Sequence, residues 1–185
     1  MPARQKRRPT AGAGMIRLLT EEPDMKNARQ MFVESFKAER PKFVRVFEAV
    51  PPAEAGYRPH PRSNSAAEIV TMIASEWGDA AELIEHGRVD YAPPAPKDVR
   101  DSLALFQKNA GAIEKRLDGL SDAAWEKKAQ FLMGGNVVWE APLGEMLFGF
   151  LFDAIHHRGQ LSTYLRPMGA KVPSIYGPSA DDPGQ

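Results

Sequence analysis

The sequence predicts an all-α protein, a four-helix bundle with a short irregular or hairpin segment ahead of its last helix. Two observations carry that reading. Four long segments repeat apolar side chains at helical spacing, and the connections between them are rich in proline and glycine with no convincing strand alternation. A third bounds it: 185 residues, 43% hydrophobic and 26% charged, suit one domain with a well-buried core. The 24 basic and 24 acidic side chains balance, so whole-chain charge points to neither a nucleic-acid nor an anionic-membrane partner. There is no cysteine, which excludes disulfides, thiolate metal sites and a cysteine nucleophile; any thiol chemistry would use a thiol from solution. Neither a signal-peptide pattern nor an apolar run of spanning length is present, and a cytoplasmic protein is expected.

Residues 1–24 place Arg4, Lys6, Arg7, Arg8 and Arg17 among Pro, Ala and Gly without an apolar period, and read as a disordered basic leader. A solvated tail, or a stretch upstream of a start at Met15 or Met25, is preferred over a nucleic-acid or targeting role. The first helix is expected from about Asn27 to near Val50, on a stripe of Met31, Phe32, Phe36, Phe43, Val44 and Phe47, with a kink or break near Arg40 imposed by Pro41. After the proline-rich turn that follows, Ser65 and Glu68 form a candidate capping box for a second helix from Ala66 to His86. Its apolar face is Ile69, Ile73, Ala80, Leu83 and Ile84, edged by Met72 and Trp77. Glu76 falls inside that face. A carboxylate in the middle of a buried stripe is rarely left without a partner.

Pro93, Pro94 and Pro96 stiffen the connector to a third helix, about Lys97 to Leu117, whose stripe of Val99, Leu103, Phe106, Ala110, Ile113 and Leu117 reads as scaffold without a polar intruder. Ser121 caps a short turn through Trp125. The glycine-centred stretch QFLMGGNVVWEAP reads as a loose hairpin or extended crossing. A last helix runs from Pro142 to a Pro167/Gly169 stop, and residues 180–185 are expected to be a flexible tail.

That last helix holds the chemistry. At about 100° per residue, Asp153 and His157 lie one turn apart on a face with Met146, Phe150, Leu161, Tyr164 and Met168, while His156 points about 100° away. A carboxylate and an imidazole buried side by side are costly unless they pair or bind a cation. Gln160 and Tyr164 share the His157 face and could orient a substrate or a bound water. The opposite stripe, Phe148, Leu151, Phe152 and Ile155, suggests a homodimer seam. Arg158 and Arg166 read as solvated or bundle-edge charges, His60 and His86 as structural or exposed, and Trp77, Trp125 and Trp139 as packing.

The stretch DAIHHRGQLSTYLRPMGAKVPSIYGPS resembles the DinB/YfiT-like superfamily, with weaker support from GYRPHP, SAAEIVTMIASEW and LSDAAWEK. The likeness runs in order from about Met25 to Ser179, so residues 25–179 are expected to form the bundle. It implies an up-down-down-up topology, frequent dimerisation and a divalent metal (Zn, Ni, Mn or Fe) inside the bundle. It also implies a metal-activated water or low-molecular-weight thiol used on a small-molecule substrate, in a hydrolase, thiol-dependent transferase or isomerase. The family offers one histidine from the second helix and an H-x-x-x-H pair from the last. Only the second of that pair is kept, as His157; the first is Asp153 and the helix-two position is Met72. The site is therefore either rebuilt as Glu76, Asp153 and His157, with His156, Gln160 or Tyr164 toward a cofactor or substrate, or it is lost. Loss would leave a non-catalytic dimeric bundle for an apolar ligand or a protein partner.

Overall fold

The computed structural model describes residues 26–184, and the expected basic leader lies outside the described residues. The major elements are α1 (Ala28–Glu48), α2 (Ala66–His86), β1 (Arg88–Tyr91), α3 (Val99–Asp118), a single turn α4 (Asp122–Trp125), β2 (Lys128–Met133), β3 (Asn136–Pro142) and α5 (Leu143–Tyr164). Each of the first three long helices starts on a side chain that accepts an otherwise orphaned backbone N–H: Asn27 from Gln30, Ser65 from Glu68 and Asp98 from Asp101. For Ser65 the predicted capping box is complete, with Glu68 accepting from the Ser65 N–H at 2.7 Å.

The expected break at Pro41 does not occur. Pro41 lies within α1, and because it is on the exposed face, water can reach the carbonyl that loses its partner. Helix α2 packs on α3 and α5, and α1 packs on the same two, so the four long helices form a ring with α1 and α2 diagonal across the core. Trp77 fills the centre, its ring 4.6 Å from Phe36, 5.2 Å from Phe43 and 4.4 Å from Phe106. The third helix does carry polar intruders. Ser102 is fully buried, its hydroxyl 2.8 Å from that of Thr71, and Asn109 donates to the Ala74 carbonyl at 2.8 Å, so both polar groups are satisfied against α2.

The all-α expectation is corrected by a three-stranded sheet in the order β1-β2-β3. The anticipated hairpin is there, turning at Gly134 and Gly135, whose φ values of 58° and 79° favour residues without a Cβ. The addition is β1, four residues running parallel to β2 with Arg88 opposite Gln130 and Tyr91 opposite Met133. The seam expected on α5 is largely covered within the chain. Leu151 is buried, Phe148 packs 5.2 Å from Phe32, Ile155 is half-buried, and Phe152 alone of that stripe stays exposed.

Residues 170–184 have no regular structure but are held by side chains. Asp181 accepts from the Val172 N–H and from Arg166, and Asp182 accepts from the Ser174 N–H. Arg158, expected to be a solvated or bundle-edge charge, is 1% exposed: one guanidinium nitrogen donates to Glu39 at 2.6 Å and another to the Tyr176 hydroxyl at 2.7 Å. A hydrophobic stripe predicts which side of a helix is buried, but not that a charge on it will meet an acid from α1.

Candidate metal centre and its aromatic cleft

Helices α2 and α5 run side by side, and their contact brings Glu76 to Asp153 and His157. One ligand atom from each of the three lies within 4.8 Å of the other two. His157 Nε2 is 3.3 Å from Asp153 Oδ2, the one-turn spacing predicted for residues four apart. On the other side of the ring, Nδ1 is 2.8 Å from Gln160 Oε1. An amide oxygen only accepts, so the ring donates to it through Nδ1–H, which turns Nε2 toward the carboxylates. Three possible ligand atoms thus converge, two from carboxylates and one from an imidazole.

Glu76 has its Oε2 buried without a hydrogen-bond partner. Burial first, and then the negative charge of Asp153 beside it, push its carboxyl from 4.5 up to about 8. One turn further along α2, burial and then Glu82 raise Asp79 to about 6. An imidazole and two carboxylates suit a borderline divalent ion of the Zn, Mn, Fe or Ni kind, and the orphaned Glu76 oxygen is a donor that such an ion would satisfy. The residues fit the group.

The centre is less enclosed than its sequence implied. The Asp153 side chain is 52% exposed and that of His157 19%. The opening leads into a cleft of about 320 Å³ whose lining includes Glu76 and Asp153 together with Tyr91, Phe131, Trp139, Gly149 and Phe150. Three of those aromatic side chains come from β1, β2 and β3. Phe131 and Trp139 are cross-strand partners, and Tyr91 lies 5.9 Å from Phe131. Gly149 admits the wall, since a Cβ there would come within 2.6 Å of the Trp139 ring. Trp139 thus lines the cleft, whereas Trp77 and Trp125 are core packing as expected.

The sequence signal for this wall was present but weak: Val137, Trp139 and Ala141 alternate with Val138 and Glu140, a period-two pattern behind a Gly-Gly turn. The remaining expected site residues divide. Gln160 touches His157. His156 is exposed, on the side its helical angle predicted. Tyr164 is buried and packs edge-on against Tyr57, at 5.6 Å between ring centroids, two turns beyond His157. Met72 lines a neighbouring cavity with Thr71 and Tyr91. His60 and His86 are exposed.

Known structures share this architecture at low sequence identity. A DinB-like protein from Bacillus subtilis superposes with a TM-score of 0.63 at 19% identity, over 82% of this chain and 99% of the other. One from Bacillus cereus gives 0.66 at 16%, over 78% and 95%. YfiT from Bacillus subtilis, described as a probable metal-dependent hydrolase with an unusual four-helix bundle topology, gives 0.63 at 14%, over 82% and 94%. No curated protein matches the sequence significantly. Such identities speak for the fold alone. The sequence model of the DinB superfamily, however, matches residues 35–161, a span that runs from α1 into the last helix and contains all three candidate ligands, and by that match the chain belongs to the DinB superfamily.

Proposed function

We propose that this chain, an up-down-down-up bundle working in the cytoplasm, is a metal-dependent enzyme acting on a small molecule, with Glu76, Asp153 and His157 holding one divalent ion. The observation that carries the reading is the convergence of those three donors within 4.8 Å on the edge of an aromatic cleft, with one buried carboxylate oxygen left unpartnered. Such an ion, when bound, lowers the pKa of a coordinated water or thiol and polarises a substrate carbonyl, which serves hydrolysis, thiol-dependent transfer or isomerisation.

The chain's own residues do the rest. Gln160 holds the His157 ring in the tautomer that leaves Nε2 free. Glu76 gives up its proton as the cation arrives, so loading becomes easier as pH rises toward about 8. Phe131, Trp139 and Phe150 shed water from the substrate's side. His156 is exposed, with its ring 5.2 Å from that of His157, and is the imidazole we assign to hydrogen bonding with a bound substrate. With no cysteine in the chain, a thiol nucleophile such as glutathione, mycothiol or bacillithiol would have to enter from solution.

A second reading has one observation in its favour. With Glu76 raised to about 8, a protonated Glu76 could donate to Asp153 and settle the cluster without an ion, leaving a non-catalytic bundle. Elemental analysis of untagged protein separates the two, with thermal melts in chelator and in added Zn, Mn or Ni. Near one metal per chain, lost in Glu76→Gln and His157→Ala, is the expected result. An ion present at about 100 times its Kd should add about 2.7 kcal/mol. Metal-free protein with melting indifferent to all three ions would overturn the enzyme reading.

A further inference from the structure

The cleft has a composition that the metal centre alone does not require. Four of its lining residues are aromatic, Tyr91, Phe131, Trp139 and Phe150, and two are acids, Glu76 and Asp153. Among the described residues neither lysine nor arginine lines it, so an anionic substrate group would meet no counter-charge from these walls. A third carboxylate lies close by: the negative charge of Asp79, on α2, acts on both Glu76 and the Tyr91 phenol. The rings are set at angles to one another rather than stacked flat. Tyr91 and Phe131 are 5.9 Å apart with planes at 31°, and Phe131 and Phe150 are 5.9 Å apart at 65°. Four aromatic rings lining a space of about 320 Å³, beside acidic side chains, form surroundings in which an alkylammonium head is attracted electrostatically while its methyl groups lose water.

We propose that the substrate of this site is an organic cation, an amine or quaternary ammonium compound whose charged head sits among Tyr91, Phe131, Trp139 and Phe150 while its reactive group reaches Glu76, Asp153 and His157. The assignment rests on the metalloenzyme reading for the reactive end and on the aromatic walls for the cationic end. Two carboxylates neutralise a divalent ion, and Asp79 then leaves the surroundings net negative, so the preference for a cation persists when the metal is loaded.

The test compares choline with 3,3-dimethylbutan-1-ol, which has the same shape without the charge, by calorimetric titration of chelator-treated and of metal-loaded protein. Choline is expected to bind at least about ten-fold more tightly than the neutral alcohol in both forms. Asp79→Asn, which removes charge but little volume, should weaken choline several-fold and leave the alcohol unchanged. Trp139→Leu, checked for native circular dichroism, should weaken choline more than the alcohol. Equal affinities for the two probes, or tighter binding of the alcohol, would overturn the proposal even if one metal per chain were found. A choline preference in a protein that binds no metal would keep the cation site and remove the reactive end.

Discussion

His157 and Arg158 are adjacent in α5, and each enters a cluster of opposite character. Arg158 faces α1 and the C-terminal segment, where Glu39 accepts from Arg158 at 2.6 Å, from Lys42 at 2.6 Å and from the Tyr176 hydroxyl at 2.9 Å, while the guanidinium also lies 4.6 Å above the Phe43 ring. Burial works to raise the Glu39 carboxyl, but these three donors together hold it below its ordinary 4.5. His157 faces α2, where it meets two carboxylates, and burial followed by the charge of Asp153 raises Glu76 to about 8. Both clusters combine carboxylates with a basic side chain between helices far apart in sequence. The satisfied one anchors residues around Tyr176 to the bundle; the one with an unpartnered carboxylate oxygen borders the aromatic cleft. Completeness of pairing, more than the presence of charge, separates a structural cluster from a candidate site.

The comparison can be broken most forcefully at Arg158. Arg158→Ala leaves Glu39 buried beside a vacated space and should cost about 3–5 kcal/mol in guanidinium unfolding. A loss below about 1 kcal/mol would show that the cluster is not a structural clasp.

The opposite outcome is expected at Glu76. In metal-free protein its folded value of about 8 lies above its unfolded 4.5, so its contribution to stability is greatest below pH 4.5, declines as pH rises, and levels off above about pH 8. Above pH 8, Glu76→Gln should therefore stabilise the metal-free protein by about 2–4 kcal/mol and flatten that slope. Glu39, held low, contributes in the reverse sense: its share is present above pH 4.5 and is lost as pH falls through its lowered value. Urea midpoints measured from pH 4 to 9 for wild type, Glu39→Gln and Glu76→Gln would show the two slopes; a Glu76→Gln curve parallel to wild type would contradict the strained-acid description.

Smaller effects sharpen the contrast. Gln160→Ala frees the His157 ring and should weaken metal binding by about 10–100-fold, read by competition with a chromophoric chelator, with little change in metal-free melting. Tyr176→Phe removes one donor to Glu39 and one acceptor for Arg158, an expected loss of about 1 kcal/mol in the same unfolding assay, without effect on metal affinity. If Tyr176→Phe altered metal affinity as strongly as Gln160→Ala, the two clusters would be one coupled unit.

How much of this could be read beforehand follows the range of the interactions. The bounds of α2, the Ser65–Glu68 box and the Asp153–His157 pairing are set within four residues or by a repeating stripe, and each was legible. Glu76 was legible as an intruder because its neighbours on the stripe are uniformly apolar. Strand β1 was not. It is four residues long, and its pairing partner Gln130 is far along the chain from Arg88, so nothing local distinguishes it from a connector. Arg158 was misread for the same reason, its partner Glu39 lying 119 residues away.

The sequence by itself determined the helices, their caps, the buried stripes and the three candidate donor residues, because helical periodicity and capping are short-range and are written in consecutive residues. Only the tertiary structure decided what surrounds those donors. Packing of α2 against α5 brought Glu76 to Asp153 and His157, closure of the sheet placed Tyr91, Phe131 and Trp139 over them, and the C-terminal segment returned to complete the Arg158 cluster. Those contacts join residues tens of positions apart, and their partners are chosen by the shape of the whole core rather than by any pattern within one segment.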